Sequence, residues 1–313
     1  MAKGSGHLPV LCREVVRLME PASKTLILDG TFGGGGHSRA LLEAATEMRL
    51  IALDCDPQAK ERALEMDKDF GARFEFRDSN FVDLDQLGLP PVDGVLFDFG
   101  VSSFQLDQAE RGFSFRKPAP LDMRLNPREG QSAAEFLETA DREALIHAIK
   151  VYGEENSWRR IVEAILAARG SDQLQSTDRL AALIDQAVPA PAKRGKKIHP
   201  ATKSFQGIRI AVNRELEVIE QGLPKAFAQL APGGVLAAIS FHSLEDRIVK
   251  RYFRSLCGQP VDRWDNRPQQ EREVLAENIT RKPVTPTEEE LAANPRSRSA
   301  KLRLVRKLSN SLN

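Results

Sequence analysis

The sequence predicts an α/β fold, a Rossmann-like doubly wound parallel sheet interrupted by an all-helical insertion. Three observations carry this expectation. Over the first hundred residues, short continuous apolar runs alternate with helical patterns, as they do when strands are covered on both faces by crossover helices. From about Leu106 to Pro200 helical periodicity continues, but no convincing buried strand appears. A further buried run, VLAAISF (235–241), then restores the sheet.

LPVLCREVVRLME (8–20) places Leu11, Val15, Leu18 and Met19 on one helical face. TLILD (25–29) is the first strand, and SRALLEAA after its glycine cluster reads as helix. LIALD (50–54) is the second strand, with Pro57 suited to the first turn of the helix QAKERALEM. RFEFRD (73–78) and VDGVLFD (92–98) supply a third and a fourth. In the insertion, AAEFLETADREALIHAIKVYG, NSWRRIVEAILAARG and TDRLAALIDQAV are helical. QGIRIAVNRELEVIEQGLPKAFAQL then reads as one helix, PGG (232–234) as a turn and EDRIVKRYFRSL as a helix. The polar stretch 258–293 is expected to be loop, and SAKLRLVRK (299–307) an edge strand. The resulting boundaries are 1–107 and 206–313 for a discontinuous catalytic domain and 108–205 for the insertion, to which substrate recognition is assigned.

Composition narrows the class. The 313 residues carry 45 Lys+Arg against 44 Asp+Glu, with 41% hydrophobic and 28% charged residues, which excludes collagen-like and wholly disordered chains. No apolar run approaches the ~18–20 residues of a membrane span, and MAKGSGHLPV lacks a signal-peptide apolar core. Cys12, Cys55 and Cys257 are solitary, so neither a disulfide framework nor a four-cysteine metal site is expected. These features point to a cytosolic protein with no membrane partner and no metal. A net charge of +1 offers no prompt towards nucleic acid until the distribution of charge is considered.

The segment Asp29-Gly30-Thr31-Phe32-Gly33-Gly34-Gly35-Gly36-His37 joins a predicted strand to a predicted helix. Glycine there permits positive φ and close backbone approach to a ligand, at a helix start whose N–H groups are free. It is no Walker A loop, since no Gly-Lys-Ser/Thr follows, and it fits the dinucleotide fingerprint poorly. An acidic residue ending the next strand suits a ribose; Asp54 is the choice, with Asp56 beside Pro57 read as a helix cap. Phe81, after the third strand, is placed to cover an adenine, although it is nearly as readable as a core residue. Asp98 ends the fourth strand, where open α/β sheets place their chemistry. Together these describe a site for an adenosyl ligand, NAD or S-adenosylmethionine, and the LAPGGVLAAIS turn-strand favours the latter. FDFGVSSFQLD (97–107) occupies the place of the Asp/Asn-Pro-Pro-aromatic motif of amino-group methyltransferases, without its prolines. Asp98 there could hold the cofactor or orient a substrate amine; Gln105, Ser102 and Ser103 offer further polar contacts.

The motifs HLPVLCREVV, DGTFGGGGHS, DFGVSSFQLD, RGFSF, PLDMR, YGEE, HPATKSFQGIRIAVNREL, APGGVLAAISFHSLEDRIVK and NPRSRSAKLR run in this order from His7 to Arg303. In this the chain resembles the ribosomal RNA small-subunit methyltransferase H (MraW) family. The resemblance implies a class I methyltransferase fold with a helical insertion. It also implies methyl transfer from S-adenosylmethionine to the N4 amine of one cytidine near the decoding centre of 16S rRNA, within the 30S subunit. Carried onto matching positions, the family's cofactor contacts are Gly35, Gly36, His37, Asp54, Phe81, Asp98 and Gln105. Phe99, Phe104, DCDP and KSFQG depart from the usual Leu, Pro, DRDP and RTFQA.

A cytosine amine is a weak nucleophile, so proximity and orientation should carry the rate. Asp98 is the first candidate for that work; His242 and Ser243 come second, and a strand-end His-Ser is equally readable as structural. The cysteines lack a Pro-Cys setting, which argues against thiolate attack on the ring. For the substrate phosphates the candidates are Lys196, Lys197 and Lys203, then Arg247, Lys250 and Arg251 on an amphipathic helix, then Arg296 and Arg298. These come from a basic run with no acid between 193 and 214, from the helix, and from a second such run over 294–313, and are expected to form one RNA-facing surface. A ribosome-assembly protein, an amino-methylating DNA enzyme and an NAD oxidoreductase are the competing readings. The oligomeric state, a homodimer included, is left open.

Overall fold

The computed structural model describes residues 9–195 and 198–309, and the chain forms two compact units, 1–100 with 216–313 and 101–215. The first is built on a seven-stranded sheet ordered β3-β2-β1-β4-β5-β7-β6. Its strands are β1 (Leu26–Asp29), β2 (Arg49–Asp54), β3 (Phe74–Asp78), β4 (Val92–Asp98), β5 (Leu230–Ser240), β6 (Ala276–Asn278) and β7 (Lys301–Lys307). β1 to β5 are mutually parallel, and β7 runs antiparallel to both of its neighbours. One reversed strand, β7, among six that run the same way is the strand plan of class I methyltransferases, so the predicted fold class holds.

The residue alternation along the strands decides which helices cover which face. Ile27, Leu50, Ala52, Leu96, Ala237 and Ile239 point to the face packed by α1 (Cys12–Met19), α2 (Gly36–Glu43) and α3 (Pro57–Phe70). Leu28, Ile51, Leu53, Val95, Phe97 and Ala238 point to the other. Both faces are buried, which is why the strands read as unbroken apolar runs rather than as alternation.

The second unit is helical. Ser132 opens α4 (Ala133–Thr139) with a capping box to Glu135. α5 (Trp158–Ala167), α6 (Thr177–Ala187) and α7 (Ala201–Asn213) follow, and Leu137, Ile149, Ile161, Ile165, Leu180, Ile184 and Ile208 close its core. At Gly207 a Cβ would stand 2.0 Å from the Ala148 carbonyl oxygen. α7 therefore meets the π-helical turn His147–Tyr152 backbone to backbone, closer than the alanine of the usual RTFQA would permit. Because all of α7 packs in this core, the unit runs from Val101 to Glu215, whereas the sequence alone suggests 108–205.

Three expectations are corrected. The stretch read as one helix over 206–230 is two, α7 and α8 (Glu215–Gln229), broken at Arg214 with φ +50°. The basic strand read as an edge is interior: β6 pairs along its outer side, so the region expected to be all loop supplies the true edge. The chain then contains α9 (Ser243–Leu256) between β5 and that region, its Leu244, Val249, Phe253 and Leu256 buried and its basic residues on the opposite face.

Candidate active site

The carboxyl ends of β1, β2 and β4 bring Asp29, Asp54 and Asp98 to one edge of the sheet. The glycine loop is tied down between them by backbone hydrogen bonds. Gly30 N–H donates to the Leu96 carbonyl, Phe32 N–H to that of Leu53, and Asp98 N–H to Thr31 Oγ1 at 2.6 Å. Gly35 sits at φ +75°, and a Cβ there would meet the Phe32 ring at 2.7 Å, so both backbone and space demand glycine. Gly30 is equally tight, its absent Cβ lying 2.3 Å from Cε1 of the fully buried Phe97. Gly30→Ala should therefore overpack the site floor and cost about 1–3 kcal/mol, measurable as a lowered midpoint in thermal or urea unfolding.

Each carboxylate has a distinct environment. Asp29 is buried, accepting from Thr31 N–H at 3.1 Å and Ser38 Oγ at 2.6 Å, which makes it a brace for the loop. Asp54 accepts from Gly33 N–H at 2.7 Å through Oδ2 and from Asp56 N–H at 2.8 Å through Oδ1. Asp56 caps α3, accepting from Gln58 N–H. Asp98 Oδ1 is buried and finds no hydrogen-bond partner among the described residues. Burial, followed by the neighbouring carboxylates of Asp29 and Glu245, pushes the Asp98 carboxyl well above the usual range.

His37 Nδ1 lies 3.4 Å from Asp98 Oδ2, but this is no ion pair. Its Nε2 is 2.8 Å from the Val10 carbonyl, which can only accept, so the proton sits on Nε2. Burial lowers the His37 pKa, leaving Nδ1 to present a lone pair to Asp98. Among the described residues no lysine or arginine pairs with Asp29 or Asp98. The edge thus offers acidic, partly desolvated groups without an internal cation, and a cationic ligand suits it.

The Phe81 ring packs tilted against Phe97 at 4.8 Å and Phe99 at 5.9 Å, partly buried just after β3. Gly36 opens α2. Gln105 belongs to the second unit, where its side chain closes a capping box with Ser102. His242 is the cap of α9. Its Nδ1 accepts from Glu245 N–H at 3.4 Å, and Glu245 Oε2 accepts in return from the N–H groups of Phe241 and His242. The ring's other nitrogen lies 3.0 Å from Glu245 Oε1, so both edges of His242 face groups of its own turn. Ser243 is exposed at the first turn of that helix. Sequence reasoning missed Glu245 and Asp29 as groups that set the Asp98 environment; the capping spacing His-x-x-Glu was the available signal.

The basic candidates divide sharply. Lys203 Nζ donates to the Glu154 carbonyl, and Arg251 pairs with Asp262 at 2.9 Å. In the C-terminal run, Lys301 and Arg303 are held by Asp246, and Lys307 donates to three carbonyls that include Leu230. Arg296 and Arg298 are exposed in the short helical turn Pro295–Ser299. Arg247 and Lys250 are exposed and pair with no described residue. Lys196 and Lys197 lie outside the described residues.

Strand order and glycine loop, with acids at the ends of β1, β2 and β4, define a class I S-adenosylmethionine-dependent methyltransferase. Residues 4–308 match the model of the MraW methylase family, and the chain belongs to that family. It is 46% identical to a protein of Cyanothece sp. named ribosomal RNA small subunit methyltransferase H, over 96% of this chain and 95% of that one. A relative of the same name from Syntrophotalea carbinolica is 44% identical over 96% and 98%. Among solved structures, a putative methyltransferase of Streptococcus mutans bound to S-adenosylhomocysteine aligns over 96% of this chain and all of that one, at 9% identity and a TM-score of 0.46.

Proposed function

We propose that this protein methylates the N4 amine of one cytidine of small-subunit rRNA near the decoding centre, using the 30S subunit as substrate. The names of its full-length relatives support the rRNA class. The observation that carries the chemistry is Asp98, partly desolvated at the end of β4 with one oxygen unpartnered.

S-Adenosylmethionine supplies an electrophilic methyl on a sulfonium. Asp54 would receive the ribose hydroxyls, Phe81 would cover the adenine, and Gly35, Gly36 and His37 would hold the cofactor at the start of α2. Asp98 Oδ1 accepts a hydrogen bond from the cytosine amine, turning the nitrogen lone pair out of conjugation and stabilising the positive charge that grows on nitrogen. Gln105 is a further candidate cofactor contact, and substrate recognition is assigned to the helical insertion. His242 and Ser243 act by shaping the start of α9. Lys196, Lys197, Lys203, Arg247, Lys250, Arg251, Arg296 and Arg298 are the phosphate-binding candidates, with Arg247, Lys250 and Arg298 the most available. Thiolate chemistry is disfavoured, because burial pushes the Cys12 and Cys257 thiols up to about 11.

The test is incubation with labelled S-adenosylmethionine and, in parallel, 30S subunits, naked 16S rRNA and DNA, followed by nucleoside analysis. N4-methylcytidine from 30S subunits is expected. Label in carbon-5-methylcytosine, in DNA, or in nothing would overturn the assignment.

A further inference from the structure

α9 carries Arg247, Lys250, Arg251 and Arg254 at the i, i+3, i+4, i+7 spacing, which lines them along one face. The chain leaving the helix, from Pro260 to Asp265, forms the opposite wall of an open groove of about 690 Å³. Two acids also line it, and both are already neutralised. Asp262 is paired with Arg251 at 2.9 Å, and Asp265 with Arg267 at 3.0 Å and Arg272 at 2.8 Å. Arg247, Lys250, Arg254 and Arg263 remain without an anionic partner among the described residues.

Folding does not call for that arrangement. Like charges three and four residues apart on a helix repel by roughly 0.2–0.5 kcal/mol per pair. In addition, Arg254 Nε is buried and finds no acceptor among the described residues. At the rim Trp264 is 74% exposed, with the Arg263 guanidinium over its ring at 4.6 Å. A flat indole held in solvent beside a planar cation is a surface on which a base can stack. Duplexes keep their bases stacked internally, so cations beside an open aromatic platform select an unpaired strand.

We propose that this groove is an anchoring site for single-stranded RNA, with Arg247, Lys250, Arg254 and Arg263 on the phosphates and Trp264 stacking on one base. The inference rests on the rRNA reading above and adds where a second stretch of that RNA is held. α9 starts at the carboxyl edge of β5 and returns along the sheet, so Arg254 lies about 18 Å along the helix axis from its cap. The RNA held there is not the target nucleotide but a segment distant from it, and the groove should act on KM rather than on the chemical step.

The experiment uses the full chain. Binding of a fluorescein-labelled unstructured RNA oligonucleotide is measured between 50 and 200 mM salt for wild type, Arg247→Ala/Lys250→Ala and Arg263→Glu/Trp264→Ala, with S-adenosylhomocysteine affinity as the control for folding. The first double variant should flatten the slope of log K against log salt by about 1.4, two phosphates' worth for a single strand. The second should weaken binding at least tenfold and raise KM for 30S subunits, with S-adenosylhomocysteine affinity retained. Unchanged slope and unchanged KM in variants of an active wild type overturn the groove alone. A wild type that binds the oligonucleotide but leaves 30S subunits unmethylated overturns the rRNA reading instead. Preference for anionic phosphatidylserine vesicles over RNA, with a blue-shifted Trp264, assigns the surface to membranes and likewise overturns the proposal.

Discussion

Asp98→Asn should abolish methyl transfer to 30S subunits, by 10³-fold or more, and at the same time make the folded protein more stable at neutral pH. The two effects share one cause. Burial and the carboxylates of Asp29 and Glu245 raise the Asp98 pKa, so its charged form is disfavoured in the fold. In the unfolded chain the carboxyl ionises near pH 4, as an ordinary aspartate does. Between that pH and the raised folded value, the unfolded state gains from ionisation while the folded state does not, and stability falls as pH rises. A neutral amide removes this penalty. The midpoint should rise by about 2–4 °C for each ~1 kcal/mol relieved at pH 8, and should be nearly unchanged at about pH 3, below the unfolded pKa, where both states are largely protonated. The activity loss follows because an amide turns part of its edge into a donor and carries no charge for the developing cation. A pair of melting curves at the two pH values, with a single-turnover assay, checks both halves. A variant that is inactive but destabilised at pH 8 would mean that Asp98 is structural.

The sheet was legible because its strands are short apolar runs buried on both faces, a pattern that survives without any partner being known. The same logic explains the errors. A single positive-φ residue, Arg214, breaks the long helical pattern between α7 and α8, and nothing in its side chain announces an αL conformation. β7 looked like an edge because its outward positions are basic; those cations are spent on Asp246, Glu277 and nearby carbonyls instead. The candidate site residues at strand ends, Asp54 and Asp98, could be chosen from position alone, and the structure places both carboxylates at the carboxyl edge of the sheet. The role of Asp29 as a brace and the pairing of Asp262 and Asp265 beside α9 depend on side-chain contacts between separate elements, which a pattern of residue types does not encode, whereas the Glu245 partnership of His242 was written in its capping spacing. Net charge was the least informative quantity. Cations and acids are nearly equal in number, yet Arg247, Lys250, Arg254 and Arg263 are left over because the acids beside them, Asp262 and Asp265, are paired with other arginines.

Asp54→Ala should weaken S-adenosylhomocysteine binding by about 10²-fold, and Asp54→Asn should be nearly as damaging despite its shape. A carboxylate has about four lone-pair directions, and Asp54 uses one on each oxygen to accept from Gly33 and Asp56 N–H. One direction per oxygen remains, which is what a vicinal ribose diol requires. Two hydrogen bonds to a charged acceptor, at roughly 1.5 kcal/mol or more each, account for the hundredfold. Asparagine presents NH₂ on one side, so either Gly33 or Asp56 then faces a donor, and the glycine loop loses the acceptor that fixes it to β2. Titration calorimetry with S-adenosylhomocysteine and with its 2′,3′-dideoxy analogue separates these effects. Wild type should discriminate between the two strongly, and the Asp54 variants should not, because the diol's partner is already gone. If discrimination persists in Asp54→Ala, the ribose lies elsewhere and the carboxylate serves only to pin the loop.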